Sequence, residues 1–319
     1  MMTSLLILAY NEEQLIEKTI LSYVNEFKEI IIINDCSSDG TKDIVYDMCE
    51  SYPNIMLVNN EKNYGAGKSF QIGVDKFLLS SSENLVKIDG DNQFSKKDVI
   101  RLKKLAESNK YDFIKSDRFW SMGIVGSIPF IRYIGNIFAS LLIKFSTGFL
   151  KINDPLNGLI MLSKKGAKTI SVPKLFQRYG YPFYVIVAVT NSCLRDNLRI
   201  AQIKNTVSYG NEKSSLNALV MLAKLTWYSI ATYFRKINKK VSYSNLQSSF
   251  AIDIIGLIFL FSTSYQLLKF INIRYFQGVG SQSSWFTLCI IFAFLTVLLF
   301  RTSLKIENKI FQNYFEDLN

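Results

Sequence analysis

Histidine is missing from all 319 residues. Its absence excludes Ser-His-Asp and Cys-His hydrolases and the usual zinc sites. Acid–base chemistry is left to carboxylates, Lys, Tyr or the substrate. Cysteine is scarce: Cys36, Cys49, Cys193 and Cys289 have no paired spacing for zinc or a disulfide framework, which fits a reducing compartment. The nucleotide-loop signatures are also incomplete. Around Asn63-Tyr-Gly-Ala-Gly-Lys-Ser69, Lys62 stands where a P-loop needs Gly and Phe70 where a dinucleotide fingerprint needs Gly. No secretory signal is expected, because a strand-like segment begins near Met1 and Glu12 and Glu13 follow. The net charge is +11. Its basic residues are not interleaved with aromatics in a nucleic-acid-binding module, so no nucleic-acid partner is expected.

Apolar residues are abundant and unevenly spread, with a mean hydropathy of +0.14. Residues 250–273 and 284–300 are nearly unbroken hydrophobic stretches, long enough or nearly so to span a bilayer core of about 30 Å. Arg235, Lys236, Lys239 and Lys240 precede the first, and Arg301 and Lys305 follow the second, as expected of cytoplasmic flanks attracted to anionic lipid. Two spans joined by the short connector 274–283 return the chain to its starting side. Both termini are therefore expected in the cytoplasm, on a multi-pass cell-membrane protein. Residues 216–234 are interrupted by Asn217 and Lys224, which favours an interfacial helix over a third span. Residues 121–150 carry few charges and read either as a buried helix pair or as one lying in the membrane interface.

The first third alternates strands and helices. Strands are expected at 3–9, 29–34, near 55–58 and ending at Asp89. Helices are expected from Asn11 to about Asn25, to Ser51, and to Leu79. This rhythm predicts a doubly wound, mainly parallel α/β sheet. It brings Asp35 and the Asp89-Gly-Asp91 pair to one sheet edge, where such folds place ligands. Asp-x-Asp alone is often a polar turn. Two carboxylates there ionise together cheaply only with a positive charge between them, and a divalent cation on a diphosphate suits oxygen ligands.

Six segments in order carry a resemblance: Ile7-Leu-Ala-Tyr-Asn-Glu12, Asn34-Asp-Cys-Ser-Ser-Asp-Gly-Thr41, Asn63-Tyr-Gly65, Asp89-Gly-Asp-Asn-Gln93, Ser116-Asp-Arg118 and Asp154-Pro-Leu-Asn-Gly158. With the two-span tail, the chain resembles family 2 glycosyltransferases of the GT-A (Rossmann-like) fold, in the polyprenyl-phosphate glycosyltransferase branch. That resemblance implies a mixed, mainly parallel sheet with interfacial helices and a C-terminal two-helix transmembrane hairpin. Its implied domains are a cytoplasmic catalytic domain at 1–215, an interfacial helix and linker at 216–245, the hairpin at 246–303 and a cytoplasmic tail at 304–319.

The resemblance also implies the site. Leu8 (where Pro is usual), Tyr10, Glu12, Asp35, Asp89 and Gly90 would meet the nucleotide. Asp91 and Gln93 would hold Mg²⁺ or Mn²⁺ on the diphosphate. Arg118 and Arg132 would bind the acceptor phosphate, Asp154 would lie near the reacting sugar, and Lys213 and Ser214 would close over the donor. Asn34, Glu212, Ser215 and the acid-free Tyr181–Ile186 stretch depart from the family pattern. The implied reaction is inverting attack by a polyprenyl phosphate on the anomeric carbon of a nucleotide sugar such as UDP-glucose. A lipid phosphate with a second pKa of about 6 needs little help from a base. Two alternatives stay open: extension of a lipid-linked or cell-wall glycan, and a non-catalytic scaffold. Self-association through the hairpin is also left open.

Overall fold

The computed structural model describes residues 2–119, 130–206, 218–276 and 283–318. These residues divide into two units. One comprises 1–147, 151–229 and 314–319, the other 148–150 and 230–313.

The first unit is built on an eight-stranded sheet of order β3-β2-β1-β4-β6-β5-β7-β8. Its strands are β1 (Thr3–Ala9), β2 (Glu29–Asn34), β3 (Ile55–Asn59), β4 (Asn84–Asp89), β5 (Phe113–Asp117), β6 (Ile160–Ser163), β7 (Ile200–Lys204) and β8 (Phe315–Asp317). All neighbours run parallel except β6, which is antiparallel to both β4 and β5. This is the mixed, mainly parallel α/β sheet expected. The run Ile30–Ile33 is fully buried, as a central strand covered on both faces requires.

The intervening helices are α1 (Ile16–Tyr23), α2 (Thr41–Ser51), α3 (Ala66–Leu79) and α4 (Lys96–Glu107), followed later by α5 (Phe130–Thr147) and α6 (Tyr181–Asp196). On α1, Ile16, Thr19, Ile20 and Tyr23 form one buried stripe at helical spacing. The helix starts five residues later than expected, because Glu12 O first accepts from Leu15 and Ile16 N in a turn. The chain order 3-2-1-4 reverses at β1, and the carboxyl ends of β1, β2, β4 and β5 share one edge. Strand β8 lines up beside β7, with Leu318 O accepting from Arg101 at 2.6 Å and Glu316 from Tyr111 at 2.5 Å. The expected C-terminal tail thus closes the sheet.

Helix α7 (Ala218–Lys240) belongs to the first unit up to Ser229. Trp227 is 71% exposed there and Leu219 78%, while Met221 and Leu225 are buried, a two-faced pattern.

In the second unit, α8 (Gln247–Phe276) and α9 (Ser283–Phe311) are the two helices, among the described residues, long and apolar enough to cross a membrane. They outrun the expected 250–273 and 284–300, because backbone hydrogen bonding continues past the hydrophobic edge. At about 1.5 Å per residue each exceeds the roughly 30 Å core. Phe261, Leu268, Phe294 and Val297 point outward. Lys236 and Lys240, expected at the lipid surface, instead turn inward. Lys236 Nζ lies 2.7 Å from Glu307 Oε2, Lys240 pairs with both Asp253 and Glu307, and Tyr233 donates to Asp253 at 2.8 Å. Arg235, Lys239, Arg301 and Lys305 do remain exposed.

Candidate active site

A cleft of about 490 Å³ opens at the β1/β4 reversal, lined by Leu8, Ala9, Tyr10, Glu12, Asp35, Asn63, Gly65, Ala66, Ser69, Asp89, Arg178 and Tyr179. Ligands of open α/β sheets lie outside the carboxyl strand ends at such a reversal. Five of the six residues expected to meet a nucleotide line it: Leu8, Tyr10, Glu12, Asp35 and Asp89. The sixth, Gly90, is part of the wall behind. Its N donates to Leu8 O at 2.9 Å and its O accepts from Thr19 Oγ1 at 2.9 Å.

Each lining residue is held by its local turn. The Tyr10–Glu13 turn is clipped to the start of α2: Glu12 N donates to Thr41 Oγ1 at 2.8 Å and Gly40 N to Glu13 Oε2 at 2.8 Å. Tyr10 extends past the end of β1 with nearly half its surface exposed. Asp35, though expected to contact the nucleotide, is buried and accepts from Asn60 Nδ2 (2.7 Å), Tyr64 N (3.0 Å) and Gly65 N (2.7 Å). Its carboxylate therefore holds the Asn63–Gly65 loop. Gly65 has φ +93°, and a Cβ there would lie 2.6 Å from Arg178 Cα. That close approach sets Arg178, which donates to Asn63 Oδ1 at 2.9 Å, on the rim of the cleft. Neither Arg178 nor Tyr179 was anticipated. They lie far along the chain, and nothing local distinguishes them.

At the end of β4, Asp89 accepts from Lys87 Nζ at 2.6 Å. The Lys87 side chain is 1% exposed and Asp89's is 36%. Burial would lower the Lys87 pKa, but Asp89 and Tyr181 beside it raise it above the ordinary lysine value. Tyr181 itself is pushed up to about 12 by burial. Lys87 was also missed, although a lone cation in Asn84-Leu-Val-Lys-Ile-Asp89 is a legible signal. Asp91 lies beyond, in a turn with Asn92 at φ +54°, its Oδ1 accepting from Gln93 N at 3.1 Å.

A second cavity of about 300 Å³ lies between the end of β5 and α5, lined by Asp117, Phe119, Tyr133, Asn136, Ile137, Ser140, Leu141, Lys144, Asn153 and Asp154. Arg118 grips the fully buried Asp154 through its N (3.0 Å), Nε (2.7 Å) and one terminal nitrogen (2.7 Å). Burial alone would raise the Asp154 pKa, but Arg118 holds its carboxyl below the usual carboxylate range. Arg118 and Asp154, expected to serve acceptor and sugar separately, thus form one bidentate unit. The segment Asp154–Gly158 joins the two cavities. Its far end packs against Lys87 and Asp89, where a Cβ on Gly158 would lie 2.9 Å from Lys87 Nζ. Arg132 is on α5, but its side chain, like Lys213 and Ser214, lies outside the described residues.

Residues 4–153 match the family model described as Glycosyl transferase family 2, a stretch that holds most of the residues lining the cleft. Among curated relatives, a dolichyl-phosphate beta-glucosyltransferase (ALG5A) of Trichomonas vaginalis is 33% identical over 32% of this chain and 36% of its own length. A UDP-N-acetylglucosamine–dolichyl-phosphate N-acetylglucosaminyltransferase of Methanococcus voltae is 24% identical over 55% of this chain and 74% of its own length. An uncharacterized Methanocaldococcus jannaschii protein, 33% identical, is covered over 57% of its length. The chain thus spans only part of these relatives. A solved structure of S. aureus TarS 1–349 with UDP-GlcNAc aligns over 98% of this chain and 92% of that one, at 14% identity and TM-score 0.47.

Proposed function

We propose that this glycosyltransferase moves a sugar from a nucleoside diphosphate sugar to the phosphate of a polyprenyl lipid, with inversion at the anomeric carbon. The observation that carries it is the pair of cavities joined by Asp154–Gly158, one lined by Tyr10, Asp89 and Arg178, the other by Lys144 and by Asp154, which Arg118 grips. The donor occupies the first. Tyr10 covers the base, the Asp35-held loop shapes the ribose side, and Arg178 meets the diphosphate. The acceptor phosphate enters the second and faces Arg118, whose planar fork suits phosphate. The dolichyl phosphate in the relatives' names supports a lipid phosphate acceptor.

The residues at the β4 end fit a divalent ion. Among the described residues no group of three or more His, Cys, Asp or Glu could hold a metal, so the chain would contribute Asp91, beside Gln93, and the donor diphosphate would supply further oxygens. Bound there, Mg²⁺ or Mn²⁺ would neutralise charge on the departing diphosphate. Lys87 already neutralises Asp89, which leaves Asp91 as the ligand. Asp154 is a poor proton acceptor, being buried and gripped by Arg118. The acceptor phosphate is ionised at neutral pH and attacks without a protein base.

The lipid acceptor also gives the hairpin a purpose. The N-terminal strand and the C-terminal β8 lie in one sheet, which supports both termini on the side of the catalytic unit. Exposed Arg235, Lys239, Arg301 and Lys305 support that side being cytoplasmic. Helix α7 lies in the interface with Trp227 toward lipid. Arg132, Lys213 and Ser214 keep the roles that the family pattern gives them.

The test is transfer into the organic phase. Membranes carrying the protein receive radiolabelled UDP-glucose, UDP-GlcNAc or GDP-mannose with polyprenyl phosphate and Mg²⁺ or Mn²⁺. Label that moves only with lipid phosphate and metal supports the reaction and names the donor. Label entering only a longer lipid-linked glycan, or bound nucleotide with no turnover, overturns it.

A further inference from the structure

Lys115 takes no part in the reaction proposed above, yet it is an ammonium in the middle of a sheet. Its side chain on β5 is almost wholly buried. An ammonium in such a place is costly unless its protons all find acceptors, and an apolar side chain of similar length would fill the space without that cost. Lys115 Nζ donates to Ser116 O at 2.8 Å, to Gln202 Oε1 at 3.3 Å and, closest of all, to the main-chain oxygen of Asn153. Asn153 is held elsewhere too: its N donates to Gln202 Oε1 at 3.1 Å and its Oδ1 accepts from Lys144 Nζ at 2.9 Å. The next residue is Asp154, at φ +46°, a left-handed conformation uncommon outside Gly. From that turn Asp154 meets Arg118.

We propose that Lys115 is a positioning residue for the acceptor end of the site: by holding the Asn153 carbonyl it sets the left-handed turn at Asp154, and through Asp154 the direction of the Arg118 guanidinium. The role rests on Arg118 facing the acceptor phosphate, as proposed above. It separates the two substrates, since the contacts of Lys115 all run to the acceptor side and none to the donor cleft.

The charged groups that face Lys115 are Asp154, Asp117, Arg118 and, from β8, Asp317. Burial pushes its amine down to about 8, against the pull of those carboxylates. It is charged at neutral pH and gives up its proton just above. A neutral amine has two protons for three oxygens, so one contact fails. Grip on the acceptor therefore weakens as pH rises through about 8, whereas nucleotide binding does not follow.

The experiment uses the full chain in detergent or native membranes. Polyprenyl phosphate is titrated at saturating nucleotide sugar from pH 6.5 to 9.5, for the wild type and Lys115→Met, with nucleotide affinity measured by calorimetry on the same samples. The acceptor's own second ionisation, near 6, is nearly finished by about pH 7.5, and it adds negative charge as pH rises, so it cannot produce a weakening of grip through pH 8. In the wild type the KM for lipid phosphate is expected to rise several-fold through pH 8. In Lys115→Met it is expected to be roughly tenfold higher at pH 7 and flat with pH, nucleotide affinity staying within about twofold. Lys115→Gln serves if the Met variant does not fold, and the wild-type profile stands by itself. A flat wild-type KM, or equal losses for both substrates, overturns the role of Lys115. No transfer to lipid phosphate by the wild type overturns the proposed reaction, and this role with it.

Discussion

Lys87 donates a 2.6 Å hydrogen bond to Asp89, so the first carboxylate of Asp89-Gly-Asp91 carries its own counter-ion. Two close carboxylates demand positive charge. Here the chain supplies half of it from a buried ammonium. The two acids are thereby differentiated: Asp89 pairs with Lys87, whereas Asp91 accepts from Gln93 N in the turn that follows. Lys87→Met should weaken UDP binding roughly tenfold, about 1–2 kcal/mol after discounting for the part-exposed Asp89. Calorimetry with and without Mn²⁺ checks it. Unchanged affinity in a folded variant would show that the pair is structural only.

Gly158 is the second handle on the same pair. An added Cβ would lie 2.7 Å from Asp89 Oδ2 and 2.9 Å from Lys87 Nζ. Gly158→Ala is therefore expected to displace the pair, at an overpacking cost of about 1–3 kcal/mol. Catalytic activity should drop more than the melting temperature does. A loss of Tm with kcat/KM preserved would count against the pair's role in the cleft.

The frame of the site was legible and its supports were not. Asp35 and Asp89 terminate apolar strands, so periodicity alone places both at one sheet edge, and the cleft opens there. Other pairings of the site were hidden, because they join distant segments. Arg178 reaches Asn63 across 115 positions, and Arg118 meets Asp154 across 36. Such pairings depend on packing, not on local pattern. Gly65 and Gly158 were read as motif letters, whereas each is needed because another chain segment occupies the space of its Cβ. The flank lysines misled for a related reason. Composition counts Lys236 and Lys240 with Arg235 and Lys239, but helical phase turns the first two inward.

Asp154 offers a prediction with an acid limb. Its carboxyl is held below its ordinary value, so it contributes stability above the unfolded pKa of about 3.9 and loses it as pH falls through the lower folded value. The wild type should therefore start to lose stability only below about pH 4 on this account. Asp154→Asn, which removes the charge that Arg118 grips, should cost about 3–5 kcal/mol and flatten that limb. Activity between pH 5.5 and 7 should show no ionisation from Asp154. A pH–rate limb in that range that vanishes in Asp154→Asn would restore it as a base.

The second unit supplies the last prediction. Lys240 meets both Asp253 and Glu307, Lys236 meets Glu307 at 2.7 Å, and Tyr233 donates to Asp253, all of them buried. Two ammoniums and two carboxylates balance, so removing one leaves an uncompensated charge in an apolar surround. Lys240→Met alone should destabilise the protein by about 3–5 kcal/mol, whereas Lys240→Met with Asp253→Leu should recover part of that loss. Thermal unfolding in detergent micelles, arranged as a double-mutant cycle, reads the coupling directly. A positive coupling means that the cluster acts as one unit, holding the end of α7 against the hairpin helices α8 and α9. Additive losses would mean instead that each charge is solvated separately, and the helices would then owe their contact to apolar packing such as Phe259 on Phe292, 5.4 Å apart.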